Sequence, residues 1–471
     1  MTQAPASDAR AAPRGAPVGG AASLDRDVWS MAWPALLSLV AVNVVDVIDV
    51  ALVGRLGRDS VAAWGYATQT VHLVETLLHS VGVATVALVA RAVGAGASGR
   101  ERRVLAASAL LALAVACAGF AITLVAPGAV LRTLGAETAV VELSTPYFRL
   151  HAGSMLLYAV AFVFESGLRA RRNTRVPLLV AVAVMSVKTL LSVVLVFGLL
   201  GAPRLELVGA GIATVAAHGT GAALYVFLSP RLARSGEACS FGPSDLAGSG
   251  SVAAEVLRVS LPSLGERLVM SLALLTYFRI LASYGTVAIA AYAIGVRLLA
   301  FSWAPGLGFA TAAATLVGQS LGAGEGDRAW AAARRAIRQA VLVSSALGVG
   351  FAAGRGVLAA TFTSDERVGE VLGPFMLTLA VAQPFMGAHF TLGGVLRGAG
   401  DTVSPFVGAA VGNWLLRVPL AFLAASVGAD LVWAWWPLVG DHLARTLITY
   451  GAYRRGRWAE RLGASTRGGP T

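Results

Sequence analysis

The chain has 471 residues, of which 56% are hydrophobic and 13% charged, with a formal net charge of +12. A soluble domain carries roughly a quarter charged residues, so this composition excludes an ordinary soluble enzyme or binding module of the same length. The positive charge lies in short arginine clusters between apolar runs rather than in one patch, which argues against a nucleic-acid partner and for membrane-flanking loops.

Residues 1–28 hold Pro, Gly, Ala and three arginines without an apolar core, and read as a disordered cytoplasmic tail rather than a cleaved signal. Apolar runs follow near 30–53, 61–90, 104–126, 143–167, 177–200 and 208–228, and again near 257–281, 287–317, 331–353, 373–396, 404–426 and 431–452. Each is long enough for a tilted membrane helix. The chain is therefore expected to be an all-α polytopic membrane protein. It would have about twelve transmembrane helices in two six-helix lobes, 29–228 and 257–452, joined by a Gly-, Ser- and charge-rich linker at 229–256 and ending in a basic tail at 453–471. Cys117 and Cys239 imply no disulfide framework.

If the chain starts inside, the cytoplasmic gaps contain Arg91, Arg100, Arg102 and Arg103, then Arg169, Arg171, Arg172 and Arg175, with Arg231, Arg234, Arg328, Arg334, Arg335, Arg338 and Arg397 further on. The opposite gaps hold only Arg55, Arg58, Arg132, Arg204, Arg355 and Arg367. This asymmetry places both termini in the cytoplasm. The Ala-, Gly- and Arg-rich composition fits a GC-rich bacterial gene, hence an inner-membrane location.

The two lobes repeat at an offset of 228 residues without a gap. Pro34 matches Pro262, Gly57 matches Gly285, and Ala62-Ala63 matches Ala290-Ala291. Gly94-Ala95-Gly96 matches Gly322-Ala323-Gly324, Pro146 matches Pro374, and Leu168-Arg169 matches Leu396-Arg397. Halves with an even number of helices enter the membrane from the same side, so the repeats are parallel about an axis along the membrane normal. A rigid scaffold could share that duplication, but two lobes around a midplane cleft suit alternating access better.

Three strings carry a family resemblance: Asp49-Val-Ala-Leu-Val-Gly54-Arg-Leu-Gly57, Val317-Gly318-Gln319-Ser320-Leu321-Gly322-Ala323-Gly324, and Leu396-Arg397-Gly398-Ala399-Gly400-Asp401-Thr402. Over about residues 30–452 the chain resembles the multidrug and toxic compound extrusion (MATE) family, and looks closest to its DinF-like branch. The resemblance implies an antiporter that exports small organic, often cationic, compounds, driven by inward H⁺ or Na⁺. It assigns ion or proton coupling to the first-helix aspartate, here Asp49. A flippase of the same superfold moving a lipid-linked saccharide is the alternative, although such proteins resemble one another in a strongly cationic cavity, whereas the helices of this chain carry acids about as often as bases. No catalytic residue, metal site or cofactor other than the transported ion is expected. The partners are small-molecule substrates and the bilayer; the oligomeric state is open, with a monomer favoured.

Ionisable residues near the bilayer centre are costly and demand a reason. Asn43, Asp46 and Asp49 form a stripe along one face of the first helix. In the fifth helix, Lys188 and Ser192 stand where the resemblance leads one to expect Asn and Asp. Lys188 is the only lysine in the chain. It is expected to pair with Asp46 or Asp49, taking the place of a Na⁺ and favouring H⁺ coupling; a static salt bridge is the bland reading. Glu266, with Arg267 or Arg297 as partner, is structural or a substrate contact, and Phe162 and Trp303 could line the cavity. Glu165 and Arg169 should neutralise one another at i,i+4. Glu75, Arg279 and Arg417 have no partner assignable from sequence. Trp433, Trp435 and Trp436 read as an interfacial aromatic belt.

Overall fold

A computed structural model describes residues 21–234, 241–246, 249–363 and 365–460, and contains no strand among them. The first lobe comprises α1 (Ala21–Gly54), α2 (Arg58–Gly94), α3 (Ser98–Val125), α4 (Thr138–Ala170), α5 (Arg175–Phe197) and α6 (Glu206–Arg234). The second comprises α7 (Gly250–Ala282), α8 (Thr286–Gly322), α9 (Gly326–Phe362), α10 (Glu366–Gly398), α11 (Val403–Ser426) and α12 (Pro437–Arg454), with a short helix Leu431–Trp435 before α12. Among the described residues, ten helices are apolar and long enough to cross a membrane. The polar-interrupted α7 and α12 complete twelve. Only helices satisfy their own backbone groups in hydrocarbon, which is why so apolar a chain takes this form.

Two expected boundaries move. Residues 21–28 are helical rather than a disordered tail, because Leu24 and Val28 are buried against the second lobe; residues 1–20 lie outside the described part. The linker expected at 229–256 is shorter, since α6 runs on to Arg234 and α7 begins at Gly250. Residues 235–240 (with Cys239), 247–248 and 461–471 lie outside the described part.

The repeat is written in the backbone. Gly57 and Gly285, Gly96 and Gly324, and Arg172 and Gly400 are pairs at the 228 offset, and every member has positive φ. Arg172, at φ 65, carries a strain of roughly 1–2 kcal/mol that its glycine counterpart avoids.

The lobes exchange their first helices at the arginine-rich end. Leu24, Val28, Met31 and Ala32 of α1 belong to an apolar cluster of the second lobe, built around Phe309, Leu316, Leu392 and Leu396. Val53, at the far end of the same helix, belongs to the first-lobe cluster. α7 does the converse: Val256 is in the first-lobe cluster, Tyr277 and Leu281 in the second. Pro34 and Pro262 lie between the two attachments of their helices. Each removes a backbone donor there and so weakens the helix where it passes from one lobe to the other.

Polar bonds then seal that end. Arg91 Nε donates to the Gly398 carbonyl (3.0 Å), Gln319 Nε2 to the Ala170 carbonyl (2.7 Å) and Thr315 Oγ1 to the Arg169 carbonyl (3.0 Å). Arg172 Nε donates to Gln319 Oε1 (2.5 Å), and Arg338 and Gln339 hold Asp25. Burial, and next the neighbouring Arg328, hold the Arg172 guanidinium below its ordinary range. All of these cross-lobe bonds lie at the arginine-rich end.

At the seal α2 and α8 cross about the pseudo-twofold axis, each glycine against the other helix. A Cβ on Gly94 would come within 2.7 Å of the Gln319 carbonyl carbon, and one on Gly322 within 2.9 Å of that of Arg91. Backbone cannot yield at such distances. Gly94→Val or Gly322→Val is therefore expected to hold the arginine-rich ends apart. Spin-label distances across them should lengthen by several ångströms relative to the wild type; an unchanged distribution would refute the close-crossing role.

One aromatic expectation needs correction. Trp433 and Trp436 are exposed as an interfacial belt requires, but Trp435 is fully buried. It stacks on Tyr292 and meets Phe375 edge-on, because the break at Pro437 turns it into the second-lobe core.

Candidate functional site

The polar stripe of α1 faces α2 and α5. Lys188 Nζ forms an ion pair with Asp49 Oδ2, and the two side chains are only 22% and 12% exposed. Of the two aspartates that sequence allows, the ammonium thus reaches Asp49. Asp46, one turn nearer the seal, makes no ion pair or hydrogen bond among the described residues and stays accessible. Its electrostatic neighbours are Lys188, Asp49, Glu75 and His72. Asn43 is half-buried and bonded to neither aspartate. Ser192, one turn beyond Lys188, is buried with its hydroxyl unpartnered.

α2 extends this face. Glu75 Oε2 meets His72 Nδ1 at 3.2 Å, which supplies the partner that sequence could not assign, and the His79 ring nitrogen meets the Glu75 carbonyl at 2.8 Å. This first-lobe face therefore combines three carboxylates (Asp46, Asp49 and Glu75), two imidazoles (His72 and His79) and the Lys188 ammonium.

The remaining sequence candidates are placed differently. Glu266 pairs with Arg397 at 2.6 and 2.8 Å, and not with Arg267 or Arg297. Arg397 lies at the end of α10, where a cation also suits the helix dipole, and the bundle brings it to α7. Phe162 is 6% exposed, stacked on Tyr158 and packed beside His79, so it supports the wall of α2 from behind. Trp303 is half-buried and meets Phe390 edge-on at 6.5 Å. Glu165 and Arg169 form the i,i+4 ion pair expected of them.

The second lobe holds a group that sequence reasoning missed. Asp441 is fully buried; Arg445 donates to both of its oxygens (2.5 and 2.9 Å), and Arg417 lies 3.9 Å away. The Arg417 guanidinium sits over the Tyr277 ring at 4.4 Å. Tyr277 is the 228-offset counterpart of Asp49. Arg417 lies one position past the counterpart of Lys188, and the π-helical turn Gly412–Arg417 takes up that one extra residue. The Asp49–Lys188 pair is thus mirrored by a Tyr277–Arg417 contact, with the carboxylate supplied from α12 instead. Beside it, the buried His389 and His442 share a hydrogen bond of 2.9 Å. The signal available was an Asp and an Arg four residues apart in an otherwise apolar last helix.

Comparison with known proteins agrees with this architecture. The MatE family model matches residues 34–194 and 262–423, one match per lobe. A probable multidrug resistance protein NorM of Thermotoga maritima is 24% identical, with 93% of each chain covered. A second, from Bradyrhizobium diazoefficiens, is 29% identical over 86% of this chain and 88% of its own. A crystal structure of a Vibrio cholerae MATE transporter superposes with a TM-score of 0.85 at 22% identity, covering 93% of this chain and 99% of that one, a likeness of fold.

Proposed function

Because the chain belongs to the MatE family, and is accordingly a multi-pass membrane transporter and not an enzyme, we propose that it is an inner-membrane antiporter exporting small amphiphilic organic cations in exchange for inward H⁺. The arginine-rich end is cytoplasmic, following the positive-inside bias. In the sealed arrangement the cleft then opens outward. Its DinF-like placement rests on the motif resemblance alone.

The observation that carries H⁺ over Na⁺ is the ion pair between Lys188 and Asp49. An ammonium already neutralises this carboxylate, and a metal cation would have to displace it from the same oxygen. A proton needs no such room: it discharges Asp49 and releases Lys188 in one step. Antiport follows from competition. The unpaired Asp46 holds a cationic substrate when ionised and loses it when it is protonated or when protonation of Asp49 frees the Lys188 ammonium beside it, so a proton entering from the outer side expels the substrate there. Since α1 is anchored in the second lobe at its inner end and paired to α5 at its outer end, the charge state of Asp49 governs how α1 ties the lobes together. The saccharide flippase is not favoured, because the cleft sets Asp46 and Glu75 against its cations.

Reconstituted vesicles loaded with a fluorescent organic cation test the reading. An imposed pH gradient is expected to drive efflux and a Na⁺ gradient is not; conductance or chemical turnover of the dye would refute antiport. Lys188→Ala should cut pH-driven efflux by about tenfold or more, as loss of a positioned proton-handling group does, and should confer a response to Na⁺ at the vacated site. Unchanged pH-driven efflux with an unchanged pH profile would reduce the pair to a static bridge.

A further inference from the structure

A cavity of about 470 Å³ lies between α1 and α5, at the ends of these helices remote from the seal. Ile48, Ala51 and Leu52 of α1 line it together with Val193 and Phe197 of α5 and Leu199 just after that helix. Arg55 is the one charged residue in the lining. At helical rise Arg55 lies about 10 Å beyond Ile48, so the groove runs inward from the helix ends and carries its cation at the outer end. Among the described residues the Arg55 side chain makes no ion pair and no hydrogen bond. The acids near these helix ends are taken, Asp59 by Arg58 and Glu206 by Arg204.

The groove interrupts an apolar face. Leu37, Val44, Ile48, Ala51 and Arg55 recur along α1 at spacings of seven, four, three and four, hence on one side of the helix. Leu190, Val193 and Phe197 share a side of α5 in the same way. Leu37, Val44, Ala51 and Leu190 are exposed, and this side of α1 is turned from the stripe of Asn43 and Asp46. Apolar side chains exposed in a row on spanning helices meet hydrocarbon. The recess has the volume of a single fatty-acyl chain, within the range of ligand pockets. Its cation stands at the helix ends, where headgroups lie, and a guanidinium takes a phosphate in two parallel hydrogen bonds.

We propose that this groove is a binding site for one anionic phospholipid, with an acyl chain laid between α1 and α5 and the phosphate on Arg55. The site rests on the membrane fold and not on the choice of transported ion. A soluble phosphate would meet Arg55 alone, whereas every other lining residue is apolar and suits the chain. The Asp49–Lys188 pair joins the same two helices at the inner end of the groove, where Ile48 precedes Asp49. A bound chain therefore packs against residues flanking the pair and fixes the spacing of α1 and α5 there.

The test reconstitutes the full-length protein in phosphatidylcholine vesicles with a trace of phosphatidylglycerol bearing a photoreactive diazirine on one acyl chain. A diacylglycerol with the same chains, and so without the phosphate, is run in parallel. Cross-links are mapped by peptide, and the yield on residues 48–55 and 193–199 is taken as a share of the yield on the whole protein. In the wild type this share is expected to be about tenfold higher for phosphatidylglycerol, the scale of a charge-assisted hydrogen bond. Arg55→Gln should bring the two lipids to the same share, and Arg55→Lys should keep part of the difference, since an ammonium binds phosphate as a point charge. Ala51→Trp, which fills the groove from an exposed position, should remove the share of both lipids. Equal shares in the wild type would overturn the proposal without any variant, and so would a phosphatidylglycerol preference that survives in Arg55→Gln. Soluble glycerol phosphate is expected to leave the preference intact; if it abolished the preference, Arg55 would be an anion site and the lipid assignment would fall.

Discussion

Asp49→Asn is expected to cut pH-driven efflux by about tenfold or more, with the protein still folded in the membrane. The amide keeps the size and hydrogen-bonding shape of the carboxyl but can neither ionise nor be discharged, so Lys188 faces a partner that no proton can switch. Asp46 is accessible and lies in the same field as Lys188 and Glu75, and it offers a second carboxylate through which some coupling could survive. The decisive variant is therefore the double Asp46→Asn, Asp49→Asn, in which no α1 carboxylate remains. A pairing cycle separates switching from packing. Asp49→Asn together with Lys188→Met removes the uncompensated ammonium and should recover thermal stability lost in Asp49→Asn, yet recover no efflux. Gradient-driven efflux that persists at wild-type rate in the double aspartate variant would refute the coupling role of α1 altogether.

Much of the scaffold could be read from the chain because its causes are local. Apolar runs of spanning length, arginines at alternate gaps and the 228 offset, which holds as far as Leu396-Arg397, each follow from insertion into a bilayer, and the structure returns twelve helices in two matched lobes. Lys188 stood out as the sole lysine beside a stripe of acids, and geometry alone had to decide between Asp46 and Asp49. What sequence did not yield depended on distance or on a broken register. Arg397 reaches Glu266 across 131 positions, so a neighbour such as Arg267 seemed the nearer partner. The exchange of α1 and α7 between lobes leaves no periodic mark, since both attachments are equally apolar. The Tyr277–Arg417 mirror of Asp49–Lys188 was hidden by a single inserted residue, because a strict offset sets Leu416, not Arg417, opposite Lys188. Trp435 looked like its neighbours until Pro437 turned the chain inward.

That mirror leads to the second large effect, one of stability instead of transport. Asp441→Ala leaves the guanidinium groups of Arg445 and Arg417, 5% and 4% exposed, without their shared carboxylate. Removing one member of a buried ion group costs about 3–5 kcal/mol, chiefly through the charges left unpaired. In detergent this should appear as a marked fall in thermal midpoint, larger than that of Asp49→Asn, whose site is less deeply buried. Replacing Asp441, Arg445 and Arg417 together with apolar residues of similar size should recover most of the loss, since no buried charge then remains. The two lobes are expected to diverge in function as well. Arginine stays charged at every accessible pH, so a carboxylate clamped between Arg417 and Arg445 has no ready route to discharge, unlike Asp49 beside a single ammonium. The fraction of Asp441→Ala that remains folded should therefore keep the wild-type dependence of efflux on the pH gradient. Loss of that dependence in folded protein would mean that the second lobe also carries the coupling ion, and that the mirror of the first-lobe pair is a working copy.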